Sequence, residues 1–384
     1  MNKTTKLSLL SVSLLVVSGG AIAANIPVIM IAYPTINPTL IELITTIPSL
    51  FIILTVPFSH RFAKKFGYKF SVQLGIIIVL VAGISPIFTS SFWLLFLSRI
   101  IFGIGVGLFN PLLFALAKKL YQGKERSSII GFQSAFEGIG GMIITFTVGQ
   151  LLRMNWRLSF LAYGLALPIF LLFTWFVPNV SRETDENECK VENERIPSVT
   201  YVYVALLILV VTIYMSVTVK ITSLLLEKGF GNATDGSNLL ALVGLGAMIA
   251  GVLFGSIVLR TKKWTLPISF FVLGASLFMI AQSKNLMSIS FAVIVCGFSF
   301  RTFIPYLFNE VNQEKNGNSE KSTSLLLIGF NVGAAFAPVS ISLFGKLLPT
   351  KENMNLFLAE GIIMMLLAFS TLMINIKTKK ESSL

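Results

Sequence analysis

The chain has 384 residues, 54% of them hydrophobic and only 12% charged, with a mean hydropathy of +0.83. A soluble domain devotes about a quarter of its residues to charge, so a soluble enzyme or binding module is excluded. The net charge of +13 raises nucleic acid as a partner. The basic residues, however, sit in short segments between apolar runs, which points to a lipid bilayer instead.

A helix needs about 20 apolar residues to cross a hydrocarbon core of roughly 30 Å. Twelve such runs are predicted: 7–31, 39–58, 71–90, 92–116, 128–151 and 158–178, then 200–224, 238–259, 266–283, 286–309, 323–346 and 354–376. The first imitates a secretory signal, with Lys3, Lys6 and a small-residue AIA at 21–23. Its apolar run continues through Asn25 and Pro27 to Ile31, so it is read as a retained first span.

The basic clusters fall in alternate loops: Arg61, Lys64, Lys65 and Lys69 after the second run, Lys118, Lys119, Lys124 and Arg126 after the fourth, and Arg260, Lys262 and Lys263 after the eighth. The positive-inside rule then predicts both termini in the cytoplasm. Cys189 and Cys296 fall in a linker and a span, and no disulfide is expected.

Between the sixth and seventh runs lies NVSRETDENECKVENERIPS, the one long polar and acid-rich stretch. It predicts a flexible linker over 179–198 between bundles at 1–178 and 199–384. The two sides echo each other. GIGVGLFNPLLF from Gly103 aligns with GFSFRTFIPYLF from Gly297, placing Pro111 with Pro305 and Phe114 with Phe308.

Three motifs carry a family likeness. SRIIFGIGVGLFNP at 98–111 sets Arg99 before Gly103, Gly105 and Gly107, and small residues of this kind let membrane helices approach closely. HRFAKKFGYK after the second run keeps Lys65, Gly67 and Lys69. FQSAFEGIGG from Phe132 keeps a glycine pair, Gly140 and Gly141. With these motifs the chain resembles the major facilitator superfamily of secondary transporters over essentially its whole length.

The resemblance implies an all-α membrane protein, twelve transmembrane helices as two six-helix repeats, with no cofactor and a monomer in a bacterial cytoplasmic membrane. In the family, an aspartate in the first loop lies near the start of span 11 and helps to hold the inner side shut. Here Lys64 stands at that position and Glu320 before span 11, while Lys263 and Glu125 stand at the equivalent positions of the other halves, as if the charges were exchanged. The alternative is that Glu125 and Glu320 only complement helix dipoles.

Charges inside spans are costly, about 2.5 to 3.5 kcal/mol each at mid-helix, and so mark function or a pair. Glu42 and Glu310 lie near span ends and are expected to reach water. Arg99 and Glu137 are predicted at depths differing by roughly 7 Å at a helical rise of about 1.5 Å per residue. Either they form an ion pair that holds two helices together, or Glu137 binds a proton or a cationic substrate while Arg99 tunes it.

Arg301 and Lys220 add cationic candidates, Asn25, Gln133 and Asn331 neutral ones, and Glu360 is read as facing a neighbouring helix. The leading expectation is a proton-coupled secondary transporter of a small organic solute, with drug or metabolite efflux favoured over uptake. The cationic interior motivates organic-anion uptake or exchange as the alternative. The only histidine is His60, and neither a metal-ligand cluster nor a Walker-type loop is present, which disfavours an enzyme; a transporter-like sensor is the remaining class.

Overall fold

A computed structural model describes residues 3–179, 197–313, 319–348 and 352–381, and every regular element in them is helical. The helices are α1 (Lys3–Ser13), α2 (Ile26–Ala32), α3 (Pro38–Phe66), α4 (Tyr68–Ile84), α5 (Phe92–Leu120), α6 (Gly123–Leu152) and α7 (Ala166–Phe176). They continue as α8 (Ser198–Glu227), α9 (Ala233–Thr261), α10 (Thr265–Ala281), α11 (Leu286–Gln313), α12 (Ser319–Gly345) and α13 (Asn353–Glu381).

Local chemistry sets the boundaries. Pro38 opens α3, where the Asn37 side chain accepts from the Thr39 amide at 2.9 Å. Gly67, at φ 100°, turns the chain from α3 into α4 in a conformation that disfavours any side chain. A capping box opens α9, with Asn232 accepting from the Thr234 and Asp235 amides and Asp235 accepting from the Asn232 amide.

Among the described residues, ten stretches are long and apolar enough to cross a membrane, or eleven if the bent pair Lys3–Ser13 and Ser18–Ala32 is one span. This differs from the predicted twelve at two places. The first run is broken at a 45° bend between Ser13 and Ser18, after which the chain continues as the 3-10 segment Ser18–Asn25 into α2. The stretch Ala233–Ala281 passes as one candidate although it contains both α9 and α10. The predicted linker at 179–198 falls almost wholly outside the described residues.

The chain divides into two compact units, Met1–Glu194 with Ala334–Phe336, and Arg195–Gly333 with Ala337–Leu384. In the first, α5 packs on α3 and α4, and α4 on α7. In the second, α11 packs on α9 and α10, and α10 on α13. The windows in α5 and α11 are the most buried of all the spans, 61% and 56%, which makes these helices the centres of their units.

Backbone approach is close at the glycines. A Cβ on Gly103 would collide with the backbone of Pro48 in α3, one on Gly107 with Ile52 and Thr55, and one on Gly105 with Gly75 of α4. Alternate glycines of one α5 stretch thus seat two different neighbours. Gly297 of α11 lies equally close to the Val243 carbonyl of α9. The exterior carries large apolar side chains such as Trp93, Trp175, Val252 and Phe369, as a lipid-facing surface requires.

Candidate functional site

Arg99 of α5 is completely buried, and its surroundings explain it. Helix α4 ends one residue before Ser85-Pro86, and proline has no amide hydrogen to give the Ala82 carbonyl four residues back. The Arg99 guanidinium takes that place, donating from Nη2 to the Ala82 carbonyl at 2.8 Å and to the Gly83 carbonyl at 3.5 Å. Ser85 Oγ donates to the same Ala82 oxygen at 3.1 Å.

The rings of Phe102, Phe160 and Tyr163 lie 5.0, 5.2 and 5.1 Å from the guanidinium carbon, a cation–π box supplied by α5 and the 3-10 segment Leu158–Leu165. Tyr163 is itself fixed, donating to the Ser18 carbonyl at 3.0 Å.

The expected ion pair with Glu137 is therefore corrected. None of Arg99's acceptors is a carboxylate, and Nη1 has no hydrogen-bond partner. The physical reason is local: the negative end of α4 presents unmet carbonyls within reach of a planar, fork-shaped donor, and three aromatic faces complete the shell.

Glu137 lies half-buried on α6, one turn after Gln133. Gln133 is 1% exposed and donates from Nε2 to the Leu113 carbonyl at 3.2 Å, while its Oε1 has no partner. One turn before Leu113 on α5, the Oδ1 of Asn110 is also buried without a partner. Asn110 escaped the sequence reading because it sits in a glycine-rich motif read for packing. Asn25 is fully buried and ties the first crossing to the loop after α6, donating to Ser159 Oγ at 2.6 Å and the Trp156 carbonyl at 3.3 Å. Glu42, expected to reach water, is only 2% exposed.

In the second unit, Arg301 of α11 is half-buried and within electrostatic reach of Tyr214 on α8. The Tyr214 ring lies flat on Phe300, centroids 3.6 Å apart and planes 2° from parallel, and Phe330 of α12 is 6.4 Å from Phe300. Asn331, next to Phe330, is half-buried and donates to its own helix at the Leu327 carbonyl, 2.9 Å.

Lys220 is half-buried on α8. One turn before it, Ser216 meets Oε2 of Glu360 on α13, and Lys220 is within electrostatic reach of that carboxyl. Glu360 is 3% exposed. The residue it bonds, Ser216, is indistinguishable from an ordinary span residue, so the sequence alone reads Glu360 as facing a neighbouring helix. The usable signal was that it is the one ionisable residue in the apolar stretch of α13.

The gate candidates lie at helix ends. Lys64 is exposed in the last turn of α3, Lys263 in the 3-10 turn Lys262–Trp264, and Glu125 in the first turn of α6. The side chain of Glu320 lies outside the described residues. Outside the spans, Lys228 donates to the Ala281 and Ser283 carbonyls at 2.6 and 2.9 Å, closing the end of α10, and burial pulls its pKa below the usual lysine range. Among the described residues, no three His, Cys, Asp or Glu side chains are grouped as metal ligands are.

Solved structures share this architecture. The nucleoside transporter NupG superposes with a TM-score of 0.79 at 11% identity, covering 96% of this chain and 99% of its own. A POT-family transporter in complex with a thioalcohol-conjugated peptide gives 0.72 at 13% identity, covering 97% and 96%. Another POT-family structure, with 5-aminolevulinic acid, gives 0.73 at 12% identity over the same shares of the two chains. At such identities the likeness establishes the fold. No curated protein sequence matches the chain. The profile of the Major Facilitator Superfamily matches residues 8–338, and on that evidence this multi-pass membrane protein belongs to the Major Facilitator Superfamily.

Proposed function

We propose that the protein is a proton-coupled secondary active transporter that moves a small organic solute by alternating access. It crosses a bacterial cytoplasmic membrane twelve times, as two six-helix bundles with both termini inside. The stretch Ala233–Ala281 supports the count: 49 residues of helix would be roughly 74 Å long at about 1.5 Å per residue, more than twice the hydrocarbon core, so α9 and α10 are two crossings.

The observation that carries the reading is the chemistry placed on helices that are otherwise apolar. One unit offers acceptors on α5 and α6, Asn110, Gln133 and Glu137. The other offers an aromatic and cationic face on α8, α11 and α12, made by Tyr214, Phe300, Arg301 and Phe330, with Lys220 and Asn331 nearby. Buried amide oxygens left without donors cost about 1 to 3 kcal/mol each, and a solute with N–H or O–H groups relieves that cost. Arginine beside stacked rings suits a planar or anionic group. The structural relatives, which hold a peptide and an amino acid derivative or transport nucleosides, are consistent with a polar organic solute of that size.

Glu137 is the proton-coupling candidate of the first unit. Arg99, bonded to backbone and rings, holds the fold around it. Export of a metabolite or drug is the leading direction; uptake or exchange of an organic anion is the second reading, favoured by Arg301 and Lys220. Proteoliposome flux under separately imposed pH gradients and membrane potentials tests both. Proton-driven flux that Glu137→Gln abolishes supports the first reading. Anion flux indifferent to the pH gradient supports the second, and absence of any flux over a solute panel counts against transport.

A further inference from the structure

We propose that Glu360 is a second proton-binding site, housed entirely within the C-terminal unit, with Ser216 as the partner of the protonated carboxyl and Lys220 as the partner of the carboxylate. This rests on the transport reading only for its purpose, since the site itself is a matter of hydrogen-bond geometry.

Ser216 is fully buried, and its Oγ lies within hydrogen-bond distance of two acceptors, the Ile213 carbonyl at 2.6 Å and Oε2 of Glu360. A hydroxyl has one hydrogen. If Glu360 is ionised, Ser216 can serve only one of the two acceptors. If Glu360 carries a proton, the carboxyl donates to Ser216 Oγ and Ser216 donates to Ile213, so every hydrogen has an acceptor. The short chain Glu360–Ser216–Ile213 is complete only in the protonated state.

The ionised state has its own partner one helical turn away. Lys220 follows Ser216 by four residues on α8 and thus shares its face. The site therefore offers a hydroxyl to one form of Glu360 and an ammonium group to the other.

Among the described residues, the helices packed around α13 bring few other ionisable groups to Glu360. Helix α10, the main neighbour of α13, contains none, and contributes Ser276 near Cys296. Helix α11 contributes the buried Cys296, within electrostatic reach of both Glu360 and Tyr214. From α8 come Lys220 and, a turn and a half earlier, Tyr214, which faces Arg301. The lysines of the 3-10 turn meet α13 near Asn375, where Nδ2 donates to the Lys263 carbonyl, roughly 22 Å along the helix from Glu360 at about 1.5 Å per residue. Loss of the proton leaves an anion whose nearby cation, Lys220, belongs to a different helix, so the charge state of Glu360 alters the attraction between α13 and α8.

Infrared difference spectroscopy on the purified full-length protein in lipid nanodiscs, stepped between acid and alkaline pH, tests this without any solute. The expected result is a carboxyl C=O band that follows pH, is lost in Glu360→Gln, and has its midpoint displaced in both Ser216→Ala and Lys220→Met. A wild-type band in Glu360→Gln overturns the proposal, as does an unmoved midpoint in both partner variants. Should Glu360→Gln not fold, Glu360→Asp serves, with a shifted band frequency expected and an unshifted one overturning it. Because no transport is measured, a titrating Glu360 band in a protein without flux would refute the transport reading alone, and flux with no such band would refute the proton site alone.

Discussion

Arg99 of the first unit and Glu360 of the second are both almost completely buried, and the two are treated in opposite ways. Arg99 in the first is held by backbone carbonyls and aromatic faces, none of which titrates near neutral pH. Glu360 in the second is held by a hydroxyl, with an amine in reach. A cation satisfied by carbonyls at a helix end has nothing to exchange and serves the fold. An anion satisfied by groups that can reverse donor and acceptor roles can gain and lose a proton. The difference teaches that an intramembrane charge declares its role through its partners, not its depth.

The largest effect expected from breaking this contrast is at Arg99. Arg99→Leu leaves the Ala82 carbonyl with only the Ser85 hydroxyl and empties the ring box, costing about 3 kcal/mol. Thermal melting in detergent should show it, and Arg99→Lys should recover only part, since a point charge cannot fill the fork. Combined with Glu137→Gln the losses should add within about 0.5 kcal/mol; clear non-additivity would restore the ion pair.

Next comes Gly140, whose added Cβ would strike the Leu14 carbonyl at the break in the first span. Gly140→Ala should cost about 2 kcal/mol by forcing backbones apart, whereas Gly138→Ala, where nothing lies within 4 Å, should be neutral or slightly stabilising. Equal effects at the two positions would remove the case for close packing at that break.

Smaller still is Gln133→Leu. Replacing a half-satisfied buried amide by an apolar group of similar shape should change stability by no more than about 0.5 kcal/mol. If Gln133 receives solute, flux should fall all the same; retained flux would make the amide a packing residue.

The smallest effect is at Lys228 and appears only through pH. Its folded pKa is depressed, so between that value and the ordinary lysine value of 10.5 the unfolded chain holds the extra proton and stability rises with pH. Lys228→Met should lose that alkaline rise, and an unchanged profile would mean that the two carbonyl bonds offset the desolvation in full.

Much of this was legible beforehand. Apolar run length specified most of the helices, because a bilayer allows little else. The motif around Arg99 pointed to the family, and the glycines at 103, 105 and 107 lie where backbones approach. The separate runs at 238–259 and 266–283 correspond to α9 and α10. The sequence could not show the bend between Ser13 and Ser18, where Gly140 of α6 comes up against the Leu14 backbone.

By itself, then, the sequence determined a multi-pass helical protein of a known superfamily, since hydropathy and backbone size act over a few residues of chain. Only the tertiary structure decided what each buried charge touches. Arg99 and Ala82 are joined because proline removes a donor from one helix while a neighbouring helix presents a guanidinium. Glu360 and Ser216 are joined across 144 residues. Hydrogen bonds form between whatever the packing brings within about 3 Å, and no local pattern encodes which helix that will be.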